Sequence, residues 1–90
     1  MNIVNNEVLG GALEKLLVFN GVYAFRRCLG DENLIVVLNP REEQRDLCIP
    51  LPEGSMQNRA WRDLLNERTF FSGESLILDI LPQKSALVLV

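Results

Sequence analysis

No histidine occurs in these 90 residues. The commonest general base and the commonest metal ligand are therefore missing. There are only two cysteines, Cys28 and Cys48, with no Cys-x-x-Cys spacing. Neither a zinc site nor a redox pair has a ligand set here. A small disulfide-stapled domain usually carries more cysteines, so both are expected to be free thiols, buried as small apolar side chains. No apolar run approaches the roughly 20 residues that cross a bilayer. The opening MNIVNNEVLGG has neither the basic nor the apolar region of a signal peptide, and a cytoplasmic location is the expectation. Gly10-Gly11 lacks the further glycine and the lysine of a phosphate loop. Nine basic residues stand against twelve acidic ones, and only Arg26-Arg27 are adjacent. There is no basic stripe with interleaved aromatics to bind nucleic acid.

What the chain does have is apolar residues, 48% of the total. That is enough for a packed core, and the length suits one domain, here taken as residues 1–90. The dominant period is two. Leu13 to Phe19 and Val22 to Cys28 are β-rich runs separated by Asn20-Gly21. An Asn-Gly step between such runs predicts a hairpin on a type I′ turn, which needs positive φ at both positions. In the second run Val22, Ala24 and Arg26 face one way and Tyr23, Phe25 and Arg27 the other. Leu29 to Asn33 is a polar turn. Leu34 to Leu38 is a continuous apolar run, which predicts a central strand covered on both faces.

Asn39-Pro40 ends that strand, and Arg41 to Arg45 reads as a solvated loop. Leu47, Ile49 and Leu51 alternate with Cys48 and Pro50, the pattern of an edge strand. Short strands are expected at Ala60–Leu65 and Arg68–Phe71, while the 56–59 stretch has no clear pattern. Leu76, Leu78 and Ile80 line one face of the next strand, with Ile77, Asp79 and Leu81 on the other. Ala86 to Val90 makes the last strand. Seven or eight short strands with turn signals every 8–12 residues predict an all-β fold, a single antiparallel β-sandwich with Greek-key connections.

Candidate chemistry is thin. A glycosidase needs two carboxylates about 5–9.5 Å apart across the scissile bond. Asp31-Glu32 and Glu42-Glu43 fall in turns, and Asp79 falls on the solvent face of an amphipathic strand. No serine sits in a nucleophile-elbow context. Trp61, the single tryptophan, has two readings. It is an exposed platform for sugar rings, or it anchors a loop with its indole N–H bonded; the anchor is preferred. Tyr23 beside Phe25 is a second possible platform, with a hairpin core contact preferred.

Several segments together resemble the C-terminal β-sandwich domain of the α-amylase family, glycoside hydrolase family 13. Val8-Leu9-Gly10-Gly11-Ala12-Leu13-Glu14 looks like its opening, and Gly21-Val22-Tyr23-Ala24-Phe25-Arg26-Arg27 is similar to its aromatic-x-Arg strand. Gly30-Asp31-Glu32 and Leu34-Ile35-Val36-Val37-Leu38-Asn39 look like its turn and its apolar strand ending in Asn. Trp61-Arg62-Asp63-Leu64-Leu65 resembles its Trp-x-Asp-Leu-Leu step, and Leu76–Leu81 with Ala86–Val90 its closing strands. The branch most similar is that of neopullulanase, cyclomaltodextrinase and maltogenic amylase. Residues 1–6 match nothing in it.

The resemblance implies a non-catalytic accessory domain. The family's chemistry lies in a (β/α)8 barrel that bears an Asp nucleophile and a Glu acid, and no residue here matches those motifs. It implies no cofactor and no metal. The implied partner is the catalytic barrel of an α-glucan-acting glycoside hydrolase, stabilised through an apolar face. A chain carrying that face alone is expected to self-associate or bind hydrophobic dye. The alternative is a carbohydrate-binding module that stacks α-glucan on Trp61, with or without Tyr23. An enzyme in its own right is the weakest reading.

Overall fold

The computed structural model describes residues 13–29 and 32–90, and every strand pairing in it is antiparallel. The opening motif before Leu13, Gly10-Gly11 and the Gly30-Asp31 turn lie outside the described residues. Eight strands follow in chain order: β1 Leu13–Phe19, β2 Val22–Leu29, β3 Glu32–Asn39, β4 Gln44–Pro50, β5 Ala60–Arg62, β6 Thr69–Phe71, β7 Ser75–Leu81 and β8 Ser85–Leu89. β1, β2, β3 and β8 form one sheet in that order, while β4 pairs with β7 and β5 with β6. The non-consecutive pairings β3–β8 and β4–β7 are the crossovers of a Greek-key sandwich.

The first hairpin forms as its turn chemistry dictates. Asn20 has φ 50° and Gly21 φ 82°, so both central residues are left-handed. Phe19 and Val22 close the turn as a pair. A side chain at Gly21 would meet more than backbone strain, because an added Cβ would sit 2.7 Å from Cδ of Arg41. Further along β1 the register shifts between Lys15 and Leu17. This bulge lets the consecutive Leu16 and Leu17 both pack on the core.

The core gathers the inward residues of both layers. Val22, Ala24, Ile35, Val37, Leu87 and Leu89 come from the four-stranded sheet. Leu47, Ile49, Leu76, Leu78 and Leu81 come from β4 and β7, with Trp61, Met56 and Phe70 filling between. In β7 the inward phase differs from strict alternation: Leu81 is buried and Ile80 is partly exposed. The slip occurs at Asp79. The facing Asp46 has a φ of 50°, and this pair is missing from the ladder between Arg45–Ile80 and Leu47–Leu78.

Four further expectations are corrected. β4 begins at Gln44, inside the segment read as a loop. Both thiols are free, but Cys28 is only half-buried and Cys48 is exposed. Cys48 lies between inward Leu47 and Ile49, so alternation turns it outward, opposite Ile77. Tyr23 is not a core contact. It stands outside, 42% exposed, stacked parallel to Phe25 at 6.3 Å between ring centres. The apolar run of β3 is covered on one face only. Ile35 and Val37 are buried, whereas Leu34 and Val36 are half-buried and Leu38 is 42% exposed.

Asn39 ends β3 as a buried hub. Its Nδ2 donates to the carbonyls of Glu42 and Pro82 at 2.8 and 2.9 Å, and its Oδ1 accepts from the Arg41 N–H at 3.2 Å. That fixes the 40–43 turn and holds Arg41 over Gly21. Gly21→Ala should destabilise the domain by about 1–2 kcal/mol, the usual cost of a left-handed non-glycine residue. The loss should shrink in an Arg41→Ala background. Urea unfolding of the single and double variants measures both effects.

Candidate functional site

The Trp61–Asp63 step was the residue pattern most open to a functional reading, and the fold explains each side chain in it. Successive residues of a strand alternate faces. Trp61 and Asp63 point inward and are fully buried, while Arg62 and Leu64 point outward. The indole Nε1 donates to the Ser72 hydroxyl at 3.1 Å. That hydroxyl also accepts from the Arg59 N–H at 3.3 Å and can donate to the Met56 carbonyl at 3.1 Å. The Arg59 guanidinium carbon lies 4.0 Å from the centre of the Trp61 ring, so the ring is covered by a cation. A sugar-stacking platform needs an exposed ring face, and Trp61, at 0% exposure, presents none. The indole is the anchor of the 56–72 segment.

Asp63 is a buried carboxylate with its acceptors in use. Oδ1 accepts from the N–H groups of Leu65 at 3.1 Å and Val88 at 3.2 Å, and Oδ2 accepts from Asn66 Nδ2 at 2.6 Å. The backbone continues the tie. Arg62 and Val90 exchange both N–H···O bonds at 2.9 Å, and the Leu64 N–H donates to the Val88 carbonyl at 2.8 Å. β5 and its extension therefore add to the free edge of β8. The sheet then reads β1–β2–β3–β8–β5–β6, and Leu64 lies beside Val88 on its outer face.

That outer face is the most distinctive surface. Register places Val18, Tyr23, Leu38 and Ala86 in one row across the strands, and Phe25, Val36, Val88 and Leu64 in the next. Val18, Tyr23, Leu38 and Leu64 are exposed, and the others in these rows are half-buried. At one end Tyr23, Leu38, Pro40 and Ala86 line a shallow hollow with Asn39, Lys84 and Ser85. Phe71 extends the same side at β6 and is 76% exposed. Only alternation in the apolar β3 run could have revealed this face, and a run of five apolar residues shows none.

Carboxylates are not assembled into a reaction centre. Glu32, Glu42, Glu43 and Asp79 are each exposed on a turn or strand. Among the described residues no three Asp, Glu or Cys side chains are placed to hold a metal ion. Cys28 is occupied locally: it accepts from an Arg26 nitrogen and donates to Asn33 Oδ1, each at 3.0 Å. The residues thus define a sandwich with one anchored tryptophan, one saturated buried aspartate and one open apolar face.

The same fold is found within much larger proteins. The chain is similar to part of the α-amylase of Geobacillus thermoleovorans, solved with acarbose, with a TM-score of 0.71 and 22% identity. The match covers 88% of this chain and 18% of that one. It is likewise similar to AmyP in complex with maltose, with a TM-score of 0.64 and 16% identity, over 88% of this chain and 16% of that one. This chain therefore spans less than a fifth of either neighbour. At such identities the likeness is one of fold. No family model and no curated protein matches the sequence.

Ser72→Ala should leave the indole N–H unpaired in the core and cost roughly 1–3 kcal/mol, measured by urea unfolding. The single tryptophan also reports directly on its surroundings. Its emission should be blue in the folded domain and unchanged on titration with maltooligosaccharides. A saturable shift would contradict an enclosed ring.

Proposed function

We propose that this domain is the non-catalytic C-terminal accessory domain of an α-glucan-acting glycoside hydrolase, and that it packs against and stabilises that enzyme's catalytic barrel. One observation carries the reading: the outer face of the main sheet is apolar across five strands and has no layer over it among the described residues. A sheet face that meets only water normally alternates to polar residues. Here the outward positions of β3 after Glu32 are Leu34, Val36 and Leu38. Contiguous exposed apolar area of this kind marks a contact surface.

The fold likeness supports the same reading, because one neighbour is an α-amylase, the other was solved with maltose, and each is matched over only a small part of its length. So does the resemblance of the sequence segments to family 13 C-terminal domains. The division of labour is simple. The barrel performs the chemistry, and the sandwich buries barrel surface that would otherwise meet water. The stabilising term is apolar area, worth roughly 25 cal/mol per Å² before the costs of association.

The isolated domain should bind the neutral dye Nile red on this face. Leu38→Lys, which places a charge at an already exposed position, should abolish the signal with little change in unfolding free energy. Dye binding that ignores Leu38→Lys would overturn the assignment of the face. The isolated domain should release no product from maltooligosaccharides, and reproducible turnover would overturn the accessory reading altogether.

A further inference from the structure

The charges around the open face are not a sample of the whole chain. The protein is acidic, with twelve Asp and Glu against nine Lys and Arg. On the outer face the sign reverses. Register puts Lys15 beside Phe25, Arg27 beside Leu34 and Arg62 beside Val90, all on the outward side. Lys84 borders the hollow formed by Tyr23, Leu38 and Ala86. Two carboxylates border that side, Glu32 at the end of β3 and Glu67, which lines a hollow with Arg62 and Leu64, against four basic side chains. Of the other described acidic residues of this sheet, Asp63 is buried, and Glu14 is opposite Arg26, with the inward residues, and pairs with it at 3.7 Å.

An apolar centre with a predominantly basic rim selects its partner. Rim charges do little for affinity, but like charges set against each other reject a wrong partner, and opposite charges steer the right one. Two copies of this chain meeting face to face would bring Lys15, Arg27 and Arg62 of one toward the same basic rim of the other. Self-pairing through this face is therefore opposed electrostatically. From this we infer that the open face fits a protein surface that is apolar at its centre and carboxylate-bearing at its rim. This inference rests on the docking reading above and adds the chemistry of the partner. Applied to that reading, it assigns the acidic groups to the barrel side of the contact.

The test uses two apolar probes that differ in charge, anilinonaphthalene sulfonate, which is anionic, and Nile red, which is neutral. The variant carries Lys15→Glu, Arg27→Glu and Arg62→Glu together. Reversal should weaken sulfonate binding about fivefold or more while leaving Nile red unchanged. Salt raised from about 0.05 M to about 0.5 M, which shortens the screening length several-fold, should weaken the sulfonate on the wild-type chain in the same direction. Should the triple variant fail to fold by circular dichroism, Lys15→Glu with Arg62→Glu replaces it, since both positions are exposed. Sulfonate binding that is indifferent to reversal would overturn the inference. So would wild-type self-association through this face as strong at low salt as at high salt. Loss of Nile red binding with Leu38→Lys tests the docking face separately, so failure of the rim can be told from failure of the face.

Discussion

Asp63 holds the arrangement together. Its carboxylate is fully buried and takes hydrogen bonds from two backbone N–H groups and one side-chain amide. A buried carboxylate is costly unless its acceptors are satisfied, so the side chain specifies where those donors must be. Val88 supplies one donor from β8, while Leu65 and Asn66 supply the others from the turn after β5. Satisfying Asp63 therefore docks that turn onto the edge of β8. Alternation then dictates the neighbours: Trp61 must enter the core, and Leu64 must join the outer face. One polar requirement thus fixes both the anchor of the core and the margin of the open surface.

Much of this was legible in the sequence because it is local. Asn20-Gly21 demanded two left-handed residues and obtained them. The period-two pattern in β2 separated Val22 and Ala24 from Tyr23 and Phe25 correctly. It did not show which side would lie within the domain, because both sides are apolar. The same limit explains β3. A continuous apolar run states that both faces will be dry, not that the covering layer belongs to the same chain. Cys48 departs from expectation for a related reason. A small apolar side chain is usually buried, but strand phase between Leu47 and Ile49 overrides that tendency. The slip in β7 arose from its partner strand, at Asp46, and nothing in residues 75–81 announces it.

The site was less legible than the fold. Trp61 was visible as a special residue, and the reading of it as an anchor rather than a platform agrees with its enclosure by Arg59 and Ser72. The basic rim was invisible in linear form. Lys15, Arg27 and Arg62 are far apart in the chain and come onto one surface only through the register of four ladders. Composition pointed the other way, since the protein as a whole is acidic.

The place of β8 has a consequence for how the domain is made. This strand lies between β3 and the extension of β5, so it is interior to the main sheet although it is the last of the eight in sequence. During synthesis β3 must wait, with one edge unpaired, until some fifty later residues have emerged. Asp63 waits for the same strand, since its Val88 N–H donor also comes from β8. β1, β2 and β3 can pair as they appear, but the main sheet is complete only once β8 has been made. Until then the ribosome presents an apolar strand edge, and it is in that interval that chaperone protection would matter most.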